Sequence, residues 1–152
     1  MTKLDVEILE IDKTVIYGIL KKSNDKTIAK DITELSKEYN NIVKKEKVLP
    51  YFILSKNYNE QTKDFDMFIG STLDNKQLEQ FIITKGIYAK ITIKPKLGFL
   101  WGAAVGEAKK YFYTDWINNS KYKPLNMEYE YHTEKSIGKN PTVDIIFAIS
   151  DK

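Results

Sequence analysis

Two short runs hold the residues best suited to chemistry. The first is Met127-Glu128-Tyr129-Glu130-Tyr131-His132, which alternates with period two. In an extended strand, Glu128, Glu130 and His132 share one face while Met127, Tyr129 and Tyr131 share the other. A carboxylate among aromatic rings attracts a cation, by charge and by contact with ring faces. If burial raised its pKa, it would serve as a general acid or base. The competing reading for either glutamate is a solvated strand face. The second run, Tyr111-Phe112-Tyr113-Thr114-Asp115-Trp116, packs four aromatics into six residues. A simple core stripe needs fewer. Rings pointing around more than one helix face offer flat walls for a planar or lipophilic molecule; the alternative is a thick core with a partly exposed edge.

Other chemistry is thinly represented. His132 is the single histidine and cysteine is absent, which removes thiolate nucleophiles, disulfides and His- or Cys-based metal clusters. There is no phosphate-cradling Gly-rich loop, no GxSxG and no HExxH. No cofactor is expected.

These runs must be positioned by the elements around them. Val6 to Glu10 and Thr14 to Leu20 are rich in β-branched residues and read as one long or bent strand. After the turn residues Ser23-Asn24-Asp25, the spacing of Ile28, Ile32, Leu35, Tyr39 and Ile42 predicts a helix over Thr27 to about Lys47, ended by Pro50. Strands are predicted at Tyr51 to Ser55 and Phe65 to Ser71, joined by a polar loop. Asp64 and Asp66 are expected to face solvent at a sheet edge. The second half repeats this order. Gln80 to Thr84 and Tyr88 to Ile93 read as strands, Pro95 precedes a helix running to about Asn119, and strands follow at Met127 to His132 and Val143 to Ile149.

In that second helix Gly98, Gly102 and Gly106 recur every four residues, beside a face carrying Leu97, Trp101, Ala104, Val105 and Ala108, with a start after Gly98 as the alternative. Glycine costs a helix about 1 kcal/mol against Ala, so a close approach of another backbone, or of a ligand, is expected there. Each half thus runs strand, helix, strand, strand. The predicted fold is α+β, a single domain over residues 1–152. Two duplicated units form one antiparallel sheet, with both helices on one face. A central ligand cleft is expected on the opposite face, near the junction of the halves.

Bulk properties narrow the function classes. The chain has 152 residues, 42% hydrophobic and 30% charged, and a formal net charge of +3. All 24 basic residues are Lys. Arg supplies the bidentate contacts that nucleic-acid readers rely on, so direct nucleic-acid binding is not expected. The run Lys44-Lys45-Glu46-Lys47 reads as a solvated helix end. With no long apolar run and no signal-like N-terminus, no membrane contact is expected, and a cytoplasmic location is the default.

Several stretches together resemble the GyrI-like effector-binding domain, also found fused to AraC-type and MerR-type transcription factors. They are Phe65-Asp66-Met67-Phe68-Ile69-Gly70, Ile82-Ile83-Thr84-Lys85-Gly86-Ile87-Tyr88-Ala89 and Trp116-Ile117-Asn118-Asn119-Ser120-Lys121-Tyr122. Glu128-Tyr129-Glu130-Tyr131 and Val143 to Ile149 complete the set. Asn118 stands where the family usually has Pro, and Lys121 where it often has Gly. The resemblance implies a cleft with one pocket glutamate, Glu130 or Glu128; spacing from Trp116 favours Glu130. Members bind amphipathic, often cationic, organic molecules, and some bind proteins such as DNA gyrase. Some stand-alone members are described as hydrolases of cyclopropane-bearing toxins, using a glutamate and a tyrosine. The residues before Val6 are too few for a helix-turn-helix, so the sensing or sequestering module alone is expected.

The leading expectation is a small-molecule-binding protein for an amphipathic ligand, with cations favoured by the carboxylate. The candidate ligand-binding set is Glu130, Glu128, Trp101, Tyr111, Tyr113, Trp116 and Tyr88, with Met67 and Phe147 from the resembling strands. One alternative is a hydrolase of a strained electrophile, with Glu130 as base and Tyr88, Tyr111 or Tyr113 as proton donor. The other is a protein-interaction module such as a gyrase modulator.

Overall fold

The computed structural model describes residues 4–46, 48–97 and 100–152. Eight strands form one sheet: β1 (Glu7–Ile11), β2 (Thr14–Asn24), β3 (Tyr51–Lys56), β4 (Asp64–Ser71), β5 (Glu79–Ile83), β6 (Gly86–Ile93), β7 (Tyr122–His132) and β8 (Val143–Asp151). Helix α1 spans Ile28–Val43 between β2 and β3. Helix α2 spans Trp101–Tyr111 and continues through a π-helical turn, Phe112–Trp116, and a 3₁₀ turn, Ile117–Asn119. The spatial order is β1-β6-β8-β7-β3-β4-β2-β5, antiparallel throughout.

The predicted duplication is present. The unit β2-α1-β3-β4 pairs internally as β2·β4·β3, and β6-α2-β7-β8 pairs as β6·β8·β7. The units meet along β3·β7 and again where β1 and β2 face β6 and β5. Those last two pairings share one register, from Glu7 opposite Lys90 to Gly18 opposite Glu79. The long bent strand expected over the first twenty residues is therefore real, and breaks only at Asp12-Lys13. Because β1 and β2 lie near opposite ends of the sheet yet are joined by two residues, the sheet must curl almost closed.

The tightest point of the curl is the Gly18–Gly70 pair of β2 and β4. A Cβ on Gly18 would overlap the Ile69 carbonyl, and one on Gly70 the Tyr17 carbonyl. Asp64 and Asp66 lie on β4, an interior strand, and not at an edge; Asp66 accepts from Asn57 at 2.9 Å.

Curling divides the core in three. Beneath α1, Leu35 packs on Phe65, Met67 and Ile69. Beneath α2, Ala104, Ala108 and Phe112 pack on Ala89, Ile91, Ile145 and Phe147. On the other face, Ile16, Phe52, Leu54, Tyr88, Tyr129 and Ile146 fill the hollow without any helix residue. That face is thus consumed by the sheet packing on itself, and the expected cleft is not there. Directly paired residues of neighbouring strands point to the same side. Glu130 is opposite Ile53, and Glu128 is opposite Ser55 and Phe147. Ile53 packs against the α1 cluster and Phe147 against the α2 cluster. Both glutamates therefore lie on the helix-bearing face, between the helices.

The helices depart from expectation at their ends. α1 stops at Val43, where Lys44 takes a left-handed φ of 58°, well before Pro50. Its first turn is tied to β2 through Asp31, which accepts from Ser23 at 2.6 Å, Thr27 at 2.8 Å and Lys21 at 3.2 Å. α2 begins at Trp101, the later of the two expected starts; Gly98 lies outside the described residues. Gly102 and Gly106 face solvent, with nothing within 4 Å of an added Cβ. The predicted close approach is made by Ala104 and Ala108 instead.

Candidate functional site

A cavity of about 650 Å³ opens on the helix face, between the start of α1 and the end of α2. That volume falls within the range of small-molecule sites. Glu128 lies on its floor. The side chain is buried, accepts from the Tyr113 hydroxyl at 2.8 Å and has the Lys109 ammonium at 3.8 Å. A carboxylate at this depth needs such partners, since desolvation penalises an unpaired charge. Burial, reinforced by the Glu128 charge, pushes the Tyr113 phenol far above its ordinary pKa. Tyr113 therefore stays protonated and acts as a donor.

The position of Glu128 follows from an irregularity in β7. The pairing with β8 shifts register between Pro124 and Glu128, and Asn126 within that bulge has a left-handed φ of 57°. Asn tolerates this conformation better than most residues. Its side chain reaches across to the β3–β4 loop, accepting from Tyr58 N at 2.9 Å and donating to Tyr58 O at 3.1 Å. Tyr58 forms the facing wall with Phe65, and its hydroxyl donates to Asp25 at 2.7 Å. That hydrogen bond to a carboxylate, more than burial, raises the Tyr58 phenol to about 12.

The aromatic run of α2 works mostly from within. The π turn holds an extra residue and so changes which rings share a face. Phe112 stacks on Phe147 with centroids 3.9 Å apart and on Trp116 at 5.4 Å; Trp116 stacks in turn on Tyr122 at 6.0 Å. This column of rings runs from the core to the cavity, where Tyr122 is exposed to it. Tyr113 stands edge-on to Phe112 at 4.9 Å and meets the cavity directly.

Of the nine candidate residues, only Glu128 and Tyr113 line the cavity. Glu130 is two residues along the same face, 3.1 Å from His132 Nε2, and is not part of the lining. Tyr111, Met67 and Phe147 are core residues beneath the helices, Trp101 packs beside the α2 cluster, and Trp116 is inside the ring column. Tyr88 is on the opposite face, with its hydroxyl on Thr84 O at 2.6 Å. Glu130 and Tyr88, expected as base and donor, lie on opposite faces of the sheet. Sequence reading missed Tyr58, Asn126, Tyr122 and Lys109. Tyr58 and Asn126 come from segments that pair across 68 positions of chain, and nothing local marks them. Among the described residues, no cluster of His, Asp or Glu suits a metal ion, and no helix is long and apolar enough to cross a membrane.

No protein-family model matches the chain, and no curated protein does. Solved structures match over nearly the whole of it. An integron cassette protein from the mobile metagenome of Vibrio cholerae aligns with a TM-score of 0.69 at 17% identity, covering 95% of each chain. SAV2435, solved bound to tetraphenylphosphonium, aligns at 0.71 and 10% identity, covering 97% of this chain and 94% of that one. EcmrR, in its DNA complex, aligns at 0.70 and 12% identity over 97% of this chain and 58% of its own. The chain has the fold of the GyrI-like effector-binding domain, as the sequence motifs implied.

Proposed function

We propose that this protein binds one amphipathic organic cation in the cleft between α1 and α2, with Glu128 as the carboxylate that reads its charge. The observation that carries this reading is a buried carboxylate on the floor of a cavity walled by Tyr58, Phe65, Tyr113 and Tyr122. A ligand cation beside Glu128 would take over the role of Lys109, which stands at the loose distance of 3.8 Å. The rings add cation–π attraction and bury the apolar body. The tetraphenylphosphonium complex of SAV2435 supports the same ligand chemistry on this fold.

The test is thermal-shift titration with tetraphenylphosphonium and a neutral tetraphenyl analogue. A ligand at a hundred times its Kd stabilises the folded state by about 2.7 kcal/mol. The cation should stabilise wild type and the Glu130→Gln variant alike, and Glu128→Gln much less. Equal loss for the neutral analogue would remove the electrostatic part of the reading.

A second reading is favoured by the Tyr113–Glu128 hydrogen bond itself. A carboxylate and a protonated phenol 2.8 Å apart can serve as base for a water and donor to a leaving group. Incubation with a cyclopropane-bearing electrophile, followed by mass spectrometry, separates catalysis from binding. Consumption above buffer that is lost in Glu128→Gln supports catalysis.

A further inference from the structure

The cavity is electrically divided. Its first-half wall, from the β2–α1 turn and the β3–β4 loop, carries Asp25 and Glu60. Its second-half wall carries Lys109 and Lys110 from α2, Lys123 from β7 and Lys152 just after β8, around the one carboxylate of Glu128 on β7. Lys109 lies 3.8 Å from Glu128, and the Lys152 ammonium donates to Ser120 O at 2.8 Å. Lys110 and Lys123 have no ion-pair partner among the described residues, although both border the cavity. Lys110 lies well short of the end of the continuous helix at Asn119 and Lys123 is on a strand, so neither offsets a helix dipole. Like charges gathered on one wall repel one another, and an anion between them relieves the repulsion.

From this division we infer that the natural ligand is zwitterionic: an aromatic body with a cationic group toward Glu128 and the Asp25–Glu60 wall, and an anionic group toward Lys110 and Lys123. This rests on the binding reading above and deepens it by naming the ligand class. A plain lipophilic cation satisfies only one wall. A molecule carrying both charges satisfies both, with the rings of Tyr113 and Tyr122 between.

Tetramethylrhodamine and its methyl ester make a matched pair for the test, since they share one cationic ring system and differ in a carboxylate. Fluorescence titration of wild type should give a Kd for the free acid about tenfold below that of the ester, a difference of about 1.4 kcal/mol. The ratio should fall as salt is raised. In the Lys110→Glu/Lys123→Glu variant, whose exposed positions make misfolding a small risk, the order should invert in favour of the ester. Equal affinities in wild type, or a wild-type preference for the ester, would overturn the zwitterion inference and leave cation binding standing. Failure of both dyes to bind would overturn the two together.

Discussion

The two halves of the molecule share one topology and use it differently. In the first, α1 is a regular helix of sixteen residues, anchored by the buried Asp31 and laid flat on β4. In the second, α2 has eleven α-helical residues before it widens into a π turn, and the strand that follows is bulged. Two irregularities of the second half, the π turn and the β7 bulge, bear on the cavity. The π turn lets Phe112 point into the core while Tyr113 turns to Glu128, and the bulge at Asn126 brings Glu128 to the floor. The second copy of the duplicated scaffold thus carries a π turn and a bulge at the cavity, and such features commonly mark function.

The sharpest way to break this contrast is at the ring column. Phe112→Ala removes a fully buried side chain that touches Phe147, Trp116 and Tyr113. It should cost about 4 kcal/mol in chemical denaturation, and ligand binding should fall with it, because Tyr113 loses its support.

The corresponding anchor of the first half is Asp31. Asp31→Ala leaves Ser23 buried without its acceptor and should cost about 2 kcal/mol. Ligand affinity should change little, because Asp31 lies outside the cavity lining. Hydrogen bonds from Ser23 and Thr27, then Lys21, hold the Asp31 pKa below the usual carboxylate range. Its contribution is therefore full above the ordinary carboxylate pKa and is lost as pH falls through the lowered value. Wild type should lose more stability than Asp31→Ala across that acid range, as read by denaturation at stepped pH.

The smallest effect runs the other way. Gly102→Ala and Gly106→Ala put a methyl group into open space on the solvent face of α2 and should each stabilise by about 1 kcal/mol. A loss of stability instead would mean that this face meets something in the folded protein.

The succession of strands along the chain, the helix stripe of α1 and the doubled plan were legible in the sequence because each rests on local periodic patterns. Alternation in Met127 to His132 also placed Glu128 and Glu130 on one face and Tyr129 and Tyr131 on the other, as the structure has them. The side of the sheet that each face belongs to was not legible. Only the curl assigns the tyrosine side to the hollow and the glutamate side to the helices.

The amino-acid sequence by itself determined an α+β duplication, a carboxylate-bearing aromatic strand and the lack of any cysteine. Composition and period need no long-range information. Tertiary structure alone decided that Glu128, and not Glu130, reaches the cavity, and that Tyr88 is separated from both. It also built the facing wall from Tyr58 and Asp25. Those choices depend on a two-residue register shift in β7, on the closure of the sheet and on contacts between segments far apart in the chain. No local pattern of side chains carries that information.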